Sequence, residues 1–179
     1  MIAVGELYMN EDRIKEDFIK AFGEEKWEIE QALAKIEPIS RELAEFLEVP
    51  QIPIVVENIP EDSRMNFQLE CIILRKDTAL NYIEALKALA HEYRHWMQFL
   101  CVKNQDTSNP LVYEYAEGFM YMAKHGNAND GTLDYYSLII EIDAFAFQKY
   151  FLKEVLEIET HYPDPGYDKI LDKFIKKFY

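Results

Sequence analysis

The sequence is poor in cysteine and has no long apolar run. Its two cysteines, Cys71 and Cys101, cannot form a disulfide framework and do not have the paired spacing of a zinc ribbon. No stretch approaches the roughly 20 apolar residues of a membrane-spanning helix. Residues 1–8 also lack the basic and apolar segments of a signal peptide. These absences predict a soluble protein of a reducing compartment, the cytoplasm.

Positive charge is scarce as well. The chain has 19 lysines and arginines against 33 aspartates and glutamates, which gives a formal net charge of −14. Such a chain gains nothing from counterion release on nucleic acid and is repelled by anionic lipid. We therefore expect no nucleic-acid or membrane partner, although the same charge leaves open a protein that mimics nucleic acid. Hydrophobic residues make up 49% of the 179 positions, which is enough for a folded core.

Hydrophobic periodicity predicts a mainly helical α+β protein with a short antiparallel or mixed sheet, as a single domain over residues 1–179. One strand is expected at 50–57, on a sheet edge because prolines flank it, and another at Met65–Leu74, where apolar and polar residues alternate. The predicted elements are N-terminal helices at 1–48 with a bend or break at Pro38, short strands at 50–75, and helices at 78–102, 111–124, 133–158 and 167–178.

The helix at 78–102 contains a motif with recognisable chemistry. Residues His91–His95 read H-E-Y-R-H, which has the form H-E-x-x-H. Residues i and i+4 of a helix lie about 5–6 Å apart on one face, so both imidazoles can bind one Zn²⁺. Glu92 is rotated about 100° off that face, which leaves its carboxylate able to act as general base toward a zinc-bound water. The alternative is a pair of core histidines satisfied by hydrogen bonds, with Glu92 on a polar face.

A catalytic zinc usually has three protein ligands and one open position. His125 and His161 lie in loop-like, glycine- or proline-rich surroundings, and the cysteines are better explained as small core residues. A carboxylate on the helix at 133–158 is preferred, because Glu141 stands in an apolar stretch where an unpaired carboxylate is costly. Asp143 competes for this role, and because the two side chains point about 200° apart around the helix, only one of them can bind the same ion. A solvated helix position is the remaining alternative for Glu141.

Over about Phe67–Tyr150 the sequence resembles zinc metallopeptidases of the gluzincin kind. In those families the second helix supplies a glutamate ligand, often with alanine three residues later and Asp or Asn at the fourth. Glu141 and Ala144 match this pattern, whereas Phe145 stands in the Asp/Asn place. Another acceptor, such as a backbone carbonyl, must then hold a zinc-bound histidine. The segment Leu89–Gln98 is also similar to small phage and bacterial metallopeptidase-like proteins related to the ImmA/IrrE group.

The resemblance implies a zincin-like fold and zinc-dependent hydrolysis of a peptide bond. His91, His95 and Glu141 would hold Zn²⁺, and Glu92 would take the proton of the water and pass it to the leaving amine. The strand before the motif helix would bind a peptide or protein substrate in extended conformation. The other function left open is a zinc-binding regulatory or binding module without proteolytic activity.

Hydrolysis also needs a donor for the developing oxyanion besides the metal. Tyr135, Tyr136 and His125 are candidates, because all three lie between the two ligand helices in sequence. Ordinary packing is the alternative for each of them. Arg94, inside the motif, is expected to pair with an acidic neighbour and is assigned no catalytic role.

Overall fold

The computed structural model describes residues 16, 20, 23–125, 136–160, 162 and 164–179. Within this part the protein is mainly helical with a small mixed sheet, which confirms the predicted α+β class. Most of the first predicted N-terminal helix lies outside the described residues. The described elements are α1 (Glu24–Phe46), β1 (Ile54–Glu57), β2 (Arg64–Asn66), β3 (Cys71–Arg75), α2 (Lys76–Leu80), α3 (Tyr82–Lys103), α4 (Val112–His125), α5 (Ile139–Glu154) and α6 (Pro165–Phe178).

The sheet has the strand order β1-β3-β2, with β1 parallel and β2 antiparallel to β3. The prediction of an edge strand at 50–57 is confirmed for β1. The prediction of one strand at Met65–Leu74 is wrong, because residues 67–70 form a turn and β2 and β3 make a hairpin. Asn66 drives this turn: its Oδ1 accepts hydrogen bonds from the N–H groups of Gln68 (3.1 Å) and Leu69 (3.0 Å).

The helix predicted at 78–102 is divided into α2 and α3. Asn81 lies between them in an extended conformation, and its side chain accepts a hydrogen bond from the Glu84 N–H (3.3 Å). This is the N-cap arrangement that favours asparagine, so α3 begins at Tyr82. By contrast, Pro38 lies inside α1 without dividing it.

The last two helices differ in extent from the sequence prediction. Helix α5 begins at Ile139 and ends at Glu154, so it is shorter than the predicted helix at 133–158. Helix α6 begins two residues earlier than predicted, at Pro165. Asp164 explains that start, because its side chain caps the helix by accepting from the Gly166 N–H (2.7 Å). None of the described helices is long and apolar enough to cross a membrane.

Helices α3 and α5 lie between two buried apolar clusters. The first joins α1, the sheet and α3 to Phe147 of α5, with Leu89 and Tyr93 wholly buried. The second joins α4 and α6 to Ile140 of α5 and Met97 of α3. Burying each such side chain contributes about 1.5–3 kcal/mol. The two helices are therefore packed on both sides, and side chains at their interface are held firmly.

Helices α4 and α5 approach each other closely at Gly118. A Cβ at this position would lie 2.9–3.0 Å from three side-chain atoms of Ile140, which is wholly buried and β-branched. We expect Gly118→Ala to lower the free energy of unfolding by about 1–3 kcal/mol through overpacking, despite the higher helix propensity of alanine. Urea denaturation measures this loss. In an Ile140→Ala background the same change should be neutral or stabilising, and an equal loss in both backgrounds would contradict the close contact.

Candidate metal centre

Three side chains from two helices converge at the interface of α3 and α5. His91 and His95 lie one turn apart on α3, with their Nε2 atoms 3.0 Å apart. Glu141 reaches them from α5: its Oε2 lies 3.4 Å from Nε2 of His91 and its Oε1 lies 3.3 Å from Nε2 of His95. The structure therefore brings together the three residues predicted as zinc ligands. They are the single group of His, Cys, Asp or Glu side chains found with metal-binding spacing among the described residues.

The carboxylate of Glu141 is the most unusual feature of this group. It is only 1% exposed, and neither oxygen has a hydrogen-bond partner within the described ranges. Burial alone would raise the pKa of Glu141, but the imidazoles of His95 and His91 hold that pKa well below its usual range. Burial lowers the pKa of His95, but the Glu141 carboxylate raises it more, so that the pKa of His95 rises to about 9. Two imidazole nitrogens and a carboxylate with unused oxygens fit the ligand preferences of Zn²⁺.

Glu92 lies beside this group without belonging to it. Its Oε2 accepts a hydrogen bond from the backbone N–H of Met65 on β2, at 2.7 Å. The side chain is buried, and burial raises the pKa of Glu92, against the lowering influence of His91 and His95. A carboxylate with a raised pKa beside a metal position has the properties of a general base.

Asp143, the competing ligand, lies in a different cluster. It is wholly buried, and its two oxygens accept hydrogen bonds from Nε (2.8 Å) and Nη2 (3.0 Å) of Arg94 in a bidentate ion pair. The hydroxyls of Tyr115 (2.8 Å) and Tyr179 (2.7 Å) and Nε2 of Gln98 (2.7 Å) also donate to it. The expected acidic partner of Arg94 is thus Asp143. With five donors on its two oxygens, Asp143 has no capacity left for a metal.

The two histidines are held in different ways. Nδ1 of His95 contacts Oε1 of Gln98 at 2.9 Å. Nδ1 of His91 has no partner in the described part of the chain, and the ring of Phe145 packs against the imidazole at 4.2 Å between centroids. An acceptor behind a histidine ring is thus present at His95, as the side-chain amide of Gln98, whereas His91, against which Phe145 packs, has none in the described part of the chain. Gln98 was not among the predicted site residues, although its position three residues after His95 places both side chains on one helix face.

The three candidate ligands and Glu92 lie in the wall of a cleft of about 490 Å³. Strand β2 and the turn before it form another part of this wall. The cleft is also lined by Tyr136, one of the predicted oxyanion stabilisers, and by Tyr162, which was not among the predicted site residues. Tyr135 lies outside the described residues. His125 is exposed at the end of α4, is stacked on the ring of Tyr121 and is not among the residues that line the cleft.

This arrangement can hold a divalent cation with three ligands, leave a coordination position facing a cleft, and place a carboxylate base beside it. Helices α3 and α5 and the edge strand β2 supply the residues for all three properties. Searches against protein-family models, curated proteins and solved structures found no match to this chain.

Proposed function

We propose that the protein is a zinc-dependent metallopeptidase of the gluzincin kind. The observation that carries this proposal is Glu141, a buried carboxylate that faces two imidazole nitrogens and has no hydrogen-bond partner among the described residues. A structural zinc site normally has four protein ligands and is often rich in thiolates. Neither cysteine belongs to the group around Glu141, and three ligands leave one position open for chemistry.

Zinc bound here would polarise the scissile carbonyl and lower the pKa of water. The chain's own residues would carry out the proton transfers. The Met65 N–H fixes one oxygen of Glu92, and the other oxygen accepts the proton of the attacking water. Glu92 then donates this proton to the nitrogen of the leaving amine, so it acts as base and then as acid. His91, His95 and Glu141 keep their places throughout, because both ligand helices are packed in the core.

The substrate we infer is a peptide or protein in extended conformation. Strand β2 lies at the sheet edge and lines the cleft, where it can pair with the main chain of a substrate. This strand covers only Arg64–Asn66, so main-chain pairing is short. Phe67 and Tyr136 also line the cleft, and their contacts with substrate side chains would then supply much of the affinity.

We also infer a cytoplasmic setting. Cys71 and Cys101 are both free in the structure, and a reducing compartment keeps such thiols reduced. A net charge of −14 favours the approach of neutral or basic substrates over acidic ones.

Metal content tests the site directly. Protein purified without chelator or metal-affinity resin should carry about one zinc per chain, as measured by mass spectrometry. Glu141→Ala should lose this zinc because it removes the carboxylate ligand. Glu154→Ala is a matched control, since it makes the same change at an exposed position of the same helix. A folded wild-type protein that takes up no added zinc would overturn the proposal.

A further inference from the structure

Gln98 is a buried polar residue that makes contacts in two directions. Its side chain is 0% exposed at the interface of α3 and α5. On one side Oε1 lies 2.9 Å from Nδ1 of His95. On the other side Nε2 donates to Oδ2 of Asp143 (2.7 Å) and to the backbone oxygen of Ile140 (2.9 Å). The amide thus joins a metal-ligating histidine to the buried ion pair behind it.

The surroundings allow only one orientation of this amide. Asp143, paired with Arg94, and the carbonyl of Ile140 are both hydrogen-bond acceptors, so the group facing them must be the amide NH₂. The amide oxygen then faces His95 and needs a donor. Nδ1 of His95 must therefore carry a proton. The resulting hydrogen bond to Gln98 holds the ring so that Nε2 faces His91 and Glu141.

We propose that Gln98 is a positioning residue for His95, and that Asp143 fixes the orientation of the Gln98 amide. Gln98 acts through the imidazole and does not touch the metal position. Because the amide is neutral, it orients the ring without adding a negative charge behind the ligand. His91 is held instead by packing against Phe145, so the two histidines differ in how firmly their rings are oriented.

The metal-binding part of this inference rests on the proposed function. Orienting groups behind metal ligands typically contribute about 10–100-fold to metal affinity. Gln98→Met keeps the length of the side chain and removes its strong donor and acceptor. We expect this variant to bind Zn²⁺ about 10–100-fold more weakly in competition with a chromophoric chelator. The absorption bands of its Co²⁺ form should also shift, which a merely structural role would not require.

Ser40→Ala is the matched control. It removes a buried hydrogen bond to α3, between Ser40 Oγ and the Tyr93 hydroxyl (2.7 Å), without touching His95. This variant should keep wild-type zinc affinity and the wild-type Co²⁺ spectrum. Wild-type zinc affinity in Gln98→Met would overturn the inference and leave the proposed function standing.

A measurement on the wild-type chain covers the case in which Gln98→Met does not fold. At a pH above the pKa of His95, which is about 9 in the metal-free protein, the neutral imidazole carries one proton, and nitrogen-15 spectra should place that proton on Nδ1 of His95. An unprotonated Nδ1 would overturn the inference. If wild-type protein binds no zinc yet shows this proton, the proposed function fails while the positioning of His95 by Gln98 stands.

Discussion

Glu92→Gln should lower kcat by about 10²–10⁴-fold, the usual cost of losing a general base. Zinc content should stay at the wild-type level, because Glu92 is not one of the three proposed ligands. The local structure should persist as well, since the glutamine oxygen can accept the same hydrogen bond from the Met65 N–H. Turnover is measured on zinc-loaded protein with a peptide found by mass spectrometry in a cleaved peptide library.

Glu84→Gln provides the control for this change. Glu84 lies on the same helix and lines the same cleft, but it is exposed and paired with Lys87 at 2.8 Å. Its amide variant should keep wild-type turnover. Loss of zinc in Glu92→Gln would make Glu92 a ligand and remove the mechanism. Zinc-loaded wild-type protein that cleaves no peptide in the library would favour the non-proteolytic binding module.

Asp143→Ala should lower the free energy of unfolding by about 3–5 kcal/mol, the usual cost of removing one partner from a buried ion pair. Arg94 would be left with an uncompensated guanidinium whose side chain is only 13% exposed. In the native protein Asp143 raises the pKa of Arg94 against the lowering effect of burial, so this charge persists at every ordinary pH. The hydroxyls of Tyr115 and Tyr179 would lose an acceptor at the same time. Urea or guanidinium denaturation at neutral pH measures the loss.

Replacing both partners separates the lost charge compensation from lost packing. Arg94→Met combined with Asp143→Leu leaves no charge unpaired and keeps similar side-chain volume. Such replacements of buried ion pairs are often neutral or stabilising. We therefore expect the double variant to be clearly more stable than Asp143→Ala. An equally unstable double variant would mean that packing and the tyrosine hydrogen bonds, not the charge pair, dominate at this position.

The spacing of the motif predicted where the candidate ligands lie. His91 and His95 needed only a helix to share one face. The apolar neighbours of Glu141 implied a buried carboxylate, and the resemblance to gluzincins favoured Glu141 over Asp143. Local side-chain chemistry explains the errors. Asn66 closes a turn inside what alternation indicated was one strand, and Asn81 caps a helix inside a continuous helical pattern. Periodicity does not register such hydrogen bonds.

The cluster around Asp143 could not be predicted for a different reason. Its members come from α3, α4, α5 and the residue after α6, and they meet only when these elements pack together. Arg94 was expected to have an acidic partner, but nothing in the sequence selects Asp143 among 33 acidic residues. Gln98 is an intermediate case, because its spacing from His95 was visible while its contact with Asp143 depends on the packing of α5.

The ligands of the candidate centre come from two helices that are distant in the chain, with α4 between them in sequence. An ion bound there would be a reversible cross-link between α3 and α5, absent from the unfolded chain. Folding and metal occupancy are then thermodynamically linked: free zinc at about 1,000 times its dissociation constant would add about 4 kcal/mol to stability. The resistance of this protein to heat and to proteolysis would accordingly follow the concentration of free zinc around it.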